Sequence, residues 1–326
     1  MAAASQMRGR CVPSTPVAPD LEALRTAAAA LVVRRGSERG KEMRLLSGIA
    51  LALTVLTVAA ASAAASQPEP WQMNLPAAVT PVMESIVGFH NFLLWLIAAI
   101  SLFVLVLLVY ALVRFSAAAN PEPSRTTHNS AVEIAWTVVP ILILIAIAVP
   151  SFRLLYLQRD YPEAEMTIKA IGSQWFWTYE YPDHGDFAFD SLLKPEDELE
   201  PGEPYLLAVD APMVVPVATT VRLIVTGNDV IHSWTVPVFG EKIDAVPGRL
   251  NEAWFRAETE GVYYGSCVEL CGKDHAYMPI EVRVVSQADF DEWTETMAAQ
   301  GPGPANRMLT ERMRARGLLA AVHNQF

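Results

Sequence analysis

The hydrophobic pattern divides the chain into parts of different character. Residues 85–113 and 134–152 contain no Asp, Glu, Lys or Arg. A membrane span needs about 20 apolar residues, because at ~1.5 Å of rise each these cover the ~30 Å of hydrocarbon in a bilayer. Both segments meet that length and predict transmembrane helices at about 89–114 and 133–156. Pro140 and Pro150 lie in the second, where membrane helices tolerate proline if neighbouring helices satisfy the freed carbonyls. From about Tyr161 the long apolar runs give way to short ones. Residues 167–171, 204–209, 219–225, 252–257 and 279–285 read as strands separated by Pro, Gly, Asp and Asn turns. Many short strands with such turns predict a sandwich or barrel. Residues 287–299 predict a closing helix, and no internal repeat is present.

Ahead of the spans, residues 1–42 are rich in Ala and Arg without sustained apolar periodicity. Met43 and Arg44 then precede an apolar stretch ending in Ala61-Ser62-Ala63 or Ala63-Ala64-Ala65. A positive start, an apolar run and small residues at its end read as an export signal over 43–65, which makes 1–42 an extension ahead of a true start at Met43. The alternative is a third membrane helix. Residues 66–88 carry no Lys or Arg, whereas the loop between the spans carries Arg114 and Arg125. Positively charged loops stay in the cytoplasm, so both flanking segments are expected outside. The expected organisation is an N-terminal segment with two spans over 66–159, an exported β domain over 160–298, and a tail over 299–326 to which no role is assigned.

Composition agrees with this division. At 52% hydrophobic and 18% charged, the chain is too apolar for an ordinary soluble protein and too polar for a many-span transporter. The net charge of -11, with acidic residues spread through the second half, repels nucleic acid and anionic lipid. It suits a basic partner, or simply keeps the domain soluble. Three cysteines are too few for a disulfide scaffold, and only Cys267 and Cys271 are near neighbours.

Those two cysteines open the pattern Cys-x-Glu-x-Cys-x3-His-x2-Met, made by Cys267, Glu269, Cys271, His275 and Met278, with His232 upstream. Two thiolates, two imidazoles and a thioether are soft or borderline donors suited to copper. A mononuclear blue-copper site needs one Cys, so the second must be explained. Two thiolates can bridge a pair of coppers, each completed by one His and a weak axial donor. A Cys2His2 zinc site would leave Met278 unused. A disulfide would leave both histidines without purpose, and a CxxC redox motif would need tighter spacing.

This loop, with His232-Ser233-Trp234 upstream, resembles the CuA domain of cytochrome oxidase subunit II. So do Gly172-Ser173-Gln174-Trp175-Phe176-Trp177-Thr178-Tyr179-Glu180-Tyr181 and Lys242-Ile243-Asp244-Ala245-Val246-Pro247-Gly248-Arg249-Leu250-Asn251. The resemblance runs from about Trp71 to about Trp293. Relatives often carry His in place of Ser173 and Tyr in place of Phe176, neither of them a copper ligand. The resemblance implies an all-β cupredoxin barrel or sandwich behind a two-helix transmembrane hairpin, with a C-terminal helix. It also implies a binuclear copper centre in which Cys267 and Cys271 bridge, His232 and His275 are terminal, and Met278 and the main-chain carbonyl of Glu269 are axial. The side chain of Glu269 would then help hold Mg2+ (or Mn2+) at the contact with subunit I. A merely solvated Glu269 is not expected in so crowded a loop.

By the same resemblance, Trp175 is where electrons arrive. Strand alternation alone would put Trp175 and Trp177 on one face and does not separate them. Glu180, Asp186, Asp210 and Asp229 would meet the lysines of cytochrome c, chiefly raising the association rate. Glu133 would stand at the entrance of a proton path, although an anion there also suits a helix N-terminus. The implied activity is that of a cytochrome-c oxidase subunit. Electrons pass from cytochrome c to the haem of subunit I, where oxygen is reduced to water and protons are translocated. The implied setting is the bacterial inner membrane, with subunits I and III as neighbours and the copper domain periplasmic. Competing classes are a quinol-oxidase relative lacking the ligands, a copper carrier with a more exposed site, and nitrous-oxide reductases, which are soluble and carry a further catalytic domain.

Overall fold

The computed structural model describes residues 65–66 and 71–319, so the expected extension over 1–42 and nearly all of the expected export signal over 43–65 lie outside the described residues. Among the described residues, the first two helices are long, α1 (Pro81–Arg114) and α2 (Ser130–Arg159). Thr80 caps α1 through its hydroxyl, with Pro81 already helical behind it. Asn129 caps α2 by accepting from the amides of Ala131 and Val132. The helices overrun the predicted spans, because these caps lie beyond the apolar stretches that fixed the prediction. Pro140 and Pro150 are accommodated inside α2. The apolar side chains of both helices stay exposed, Phe103 at 62% and Leu144 at 64% among them. Such surfaces belong against lipid or other membrane helices.

The second part is a two-sheet β domain. One sheet has the order β1-β10-β11-β5, built from β1 (Ala65–Ser66), β5 (Met213–Pro216), β10 (Gly261–Ser266) and β11 (Pro279–Val285). The other has the order β4-β3-β2-β6-β9, from β2 (Met166–Ser173), β3 (Phe176–Tyr181), β4 (Phe187–Ser191), β6 (Thr220–Gly227) and β9 (Asn251–Arg256). A hairpin of β7 (His232–Val236) and β8 (Glu241–Ala245) stands beside them. Alternation builds the core: Met166, Ile168 and Ala170 of β2 and Trp177, Tyr179 and Tyr181 of β3 point inward and are fully or nearly fully buried. Parallel pairing occurs between β2 and β6, β5 and β11, and β1 and β10.

Four of the five predicted strands are present within one or two residues of their expected ends. The fifth, 204–209, is not a strand. Its residues form turns, with Leu206 at φ 65°, and only Val209 makes an isolated bridge, to Leu193. Leu207, Ala208 and Val209 pack as a loop against the domain, while Tyr205 stays exposed. The closing helix is α3 (Gln287–Gln300), started by Ser286 and stopped at Gly301. A second helix follows it, α4 (Pro302–Ala315), with Leu309 and Met313 buried. Arg312 of its last turn and Arg316, just after its end, pair with the buried Asp289 of α3.

Hydrogen bonds fasten the membrane hairpin to the β domain. The Thr80 hydroxyl donates to the Phe239 carbonyl at 2.7 Å and the Tyr161 hydroxyl to the Glu252 carbonyl at 2.9 Å.

Candidate metal centre

The β10–β11 connection carries most of the predicted ligands. Cys267 follows β10 directly, Met278 immediately precedes β11, and antiparallel pairing of the two strands brings Ser266 opposite Pro279. His232 opens β7, and the Val268 amide donates to the Ser233 carbonyl at 3.2 Å, tying the loop to that strand. Gly265 permits this proximity, since a Cβ there would lie 1.9 Å from the Thr235 carbonyl oxygen.

The donor atoms converge around Cys271. Its Sγ lies 3.9 Å from Cys267 Sγ, 3.4 Å from His275 Nδ1 and 3.5 Å from Met278 Sδ. Cys267 Sγ is 3.4 Å from the Glu269 carbonyl oxygen. Both cysteines are free and buried, as are His232 and Met278, while His275 is half-buried. One ligand atom from each of His232, Cys267 and Cys271 falls within 4.8 Å of the others. Glu269 itself is exposed, contrary to the crowding expected of its loop.

His232 is enclosed on several sides. Its Nε2 lies 2.8 Å from Asp229 Oδ1, the Trp177 ring meets it edge-on, and a Cβ on Gly172 would stand 2.8 Å from its Cγ. Nδ1 is left buried without a hydrogen-bond partner among the described residues. An orphaned buried imidazole nitrogen is costly in an apo chain and is what a metal would satisfy.

Burial opposes ionisation of both thiols. At Cys267 the His232 imidazole and nearby backbone groups outweigh burial and hold the thiol at about 7. At Cys271 burial, and then the charge of Cys267, push the thiol up to about 12. A negative charge on Cys267 therefore disfavours a second one on Cys271, an opposition that a bound cation relieves. Burial lowers the His232 value, but Cys267 and Asp229 on its two sides outweigh it and raise it overall.

The other predicted residues are distributed around this cluster. Trp175 is half-buried and its indole N–H donates to the Cys271 carbonyl at 3.3 Å, whereas Trp177 is fully buried. Trp175 precedes β3 rather than belonging to it, so the alternation that grouped the two tryptophans does not reach it. Glu180 pairs with Lys169 at 3.0 Å, Asp186 is exposed, and Asp210 accepts from the Leu192 amide. Asp229 turns inward, accepting from the amides of Gln174 and Val230 besides meeting His232. Glu133 lies in the first turn of α2, where its Oε1 accepts from the Asn129 amide at 3.2 Å.

The supporting roles of Gly172, Gln174 and Asp229 toward the ligands escape sequence reasoning. Asp229 stands three residues before His232, a spacing that has no meaning outside a helix until the turn is known. Gln174 reaches a residue 97 positions away, which no local pattern signals.

Comparison with known proteins gives concordant matches. The family described as "Cytochrome C oxidase subunit II, periplasmic domain" matches residues 166–285, and that described as "Cytochrome C oxidase subunit II, transmembrane domain" matches residues 68–154. The chain is 51% identical to the probable cytochrome c oxidase subunit 2 of Rickettsia bellii, over 73% of this chain and 89% of that protein. It is 46% identical to cytochrome c oxidase subunit 2 of Cereibacter sphaeroides, over 77% of this chain and 90% of that one. Among solved structures it is similar to the periplasmic domain of subunit II of cytochrome oxidase from Bradyrhizobium japonicum. That match has 55% identity and a TM-score of 0.41, covering 43% of this chain and 98% of the other.

Proposed function

The chain belongs to the subunit II family of cytochrome c oxidases, and from that premise we propose that Cys267, Cys271, His232, His275, Met278 and the Glu269 carbonyl hold a binuclear CuA centre that receives electrons from cytochrome c. Family membership makes the chain a membrane-bound component of an oxidase complex, working with other subunits, and makes copper the metal to expect. The observation that carries the two-copper reading is the convergence of donors on Cys271: a second sulfur, an imidazole nitrogen and a thioether lie within 3.9 Å of its sulfur. The orphaned Nδ1 of His232 is buried, on a ring whose other nitrogen is already paired with Asp229. Three soft or borderline side-chain types in one largely buried cluster suit copper better than zinc, for which the thioether is superfluous. When bound, the copper pair supplies a one-electron couple between cytochrome c and the haem of subunit I.

The chain's own residues do the rest. Asp229 holds His232 in the tautomer that leaves Nδ1 free. Trp175, half-buried and bonded to the Cys271 carbonyl, offers an aromatic surface through which the electron arrives. Glu180, Asp186, Asp210 and Asp229 attract the basic donor, with Asp229 contributing least because its oxygens are engaged internally. The exposed carboxylate of Glu269 is free to hold Mg2+ or Mn2+ against subunit I, as suits a hard oxygen donor. Glu133 takes up protons on the cytoplasmic side for subunit I, and the β domain faces the periplasm beside subunits I and III.

Metal analysis of the purified full-length chain tests the ligand set. The expected content is two coppers per chain, falling to one or none in Cys271→Ser. One copper per wild-type chain, or zinc instead of copper, would overturn the binuclear reading.

A further inference from the structure

His232 and the other ligands sit on different hairpins, β7–β8 and β10–β11, and something must hold the two in register. Gln174, in the turn between β2 and β3, touches both. Its backbone N–H donates to Asp229 Oδ2 at 2.7 Å, and the other oxygen of that carboxylate meets His232 Nε2 at 2.8 Å. Its side-chain Nε2 donates to the Cys271 carbonyl at 2.8 Å. The same carbonyl accepts the indole N–H of the next residue, Trp175, at 3.3 Å. We propose that Gln174 is a positioning residue that locks the His232 segment, the Cys271 segment and Trp175 into one geometry. The proposal rests on the copper-centre reading and deepens it.

The loop is shaped to admit this contact. Gly272 follows Cys271 at φ 127°, and a Cβ there would lie 3.0 Å from both Gln174 Nε2 and Trp175 Cζ2. At that φ an L side chain is strained, and its Cβ would crowd the Gln174 and Trp175 side chains against the ligand loop. Once seated, Trp175 connects to the Cys271 sulfur through one hydrogen bond and the covalent bonds of Cys271 alone. Gln174 itself is exposed. Exposure also fits a contact with the docked donor, so the test must separate positioning from docking.

In the assembled oxidase, Gln174→Ala is expected to keep its copper and to leave the KM for cytochrome c within about twofold. Its kcat should fall by about ten- to a hundredfold, the scale on which small misplacements act. The copper signal in its EPR spectrum should broaden or shift, which a pure docking role does not cause. Gln174→Met keeps the side-chain length but has no donor, and is expected to behave like Gln174→Ala. Wild-type kcat and spectrum in Gln174→Met overturn the proposal, as does a raised KM with unchanged kcat in either variant. If the wild-type protein itself lacks a two-copper signal, the centre has been misread and the failure lies there rather than with Gln174.

Discussion

At the scale of single residues, the donors were legible because their chemistry is in their type and spacing. Cys267, Cys271, His275 and Met278 lie within 12 consecutive residues, and only soft-metal chemistry uses that combination. The residues that support them were not legible as such. Gly172 matters because the His232 ring occupies the space of its missing Cβ. Gly172→Ala should therefore displace the ring, costing about 1–3 kcal/mol of stability as overpacking does and lowering copper occupancy, both measurable on the purified chain. Full copper content with wild-type stability would show that the pocket relaxes freely. Glu241 is a different case, a carboxyl on β8 that burial pushes up to about 8, with Oε1 lacking a partner among the described residues. A folded value above the unfolded one means the native state holds the proton more tightly. Its stabilising contribution is complete below the ordinary carboxyl range and disappears as pH rises toward and through 8. Thermal unfolding of wild type and Glu241→Gln should diverge between about pH 5 and pH 9, with the wild type losing ground at the alkaline end. A constant difference across that range would mean Glu241 is already ionised in the native fold.

At the scale of elements, sequence reasoning did best where a pattern was long. The two spans were unmistakable, and the structure extends them chiefly at their N-termini, set by Thr80 and Asn129 rather than by hydropathy, with a few further residues at the end of α2. Short strands were harder. β7 and β8 lack strong alternation because their hairpin buries residues on both faces, including His232, Ser233 and Trp234 in succession. Residues 204–209 have strand-like composition but end as turns, where tertiary packing overrides a weak local preference. Helix α4 was hidden by Pro302, Gly303 and Pro304, which read as punctuation. Proline is in fact acceptable in a first helical turn, where amides have no partner to lose. α4 packs Leu309 and Met313 into the core, and Asn306 Oδ1 accepts the indole N–H of Trp293. Leu309→Ala should cost about 2–5 kcal/mol in chemical unfolding of the full chain. A loss below about 0.5 kcal/mol would show that α4 docks without stabilising the domain.

At the scale of the whole molecule, the chain is a β domain fastened to a hairpin that cannot be stable in water. The exposed apolar faces of α1 and α2 require lipid or other membrane helices around them. The net charge of -11 makes the account of donor docking testable. Raising ionic strength should lower kcat/KM for cytochrome c steeply, as screening of a steered encounter does. Rates independent of salt would remove the docking role from the four carboxylates. Glu133 has a visible structural task in capping α2, so its proton role needs separate evidence. In the assembled oxidase, Glu133→Gln should lower turnover while copper content and the fold stay unchanged. Normal turnover would leave Glu133 as a cap alone.

The central claim is that two thiolates on one loop, with His232 and His275, hold a pair of coppers as a single redox unit. An EPR spectrum of the copper-loaded, oxidised full-length chain tests it most directly. The account predicts a hyperfine pattern from one unpaired electron shared equally between two copper nuclei. A pattern from a single copper nucleus, or a chain that binds no copper, would contradict it.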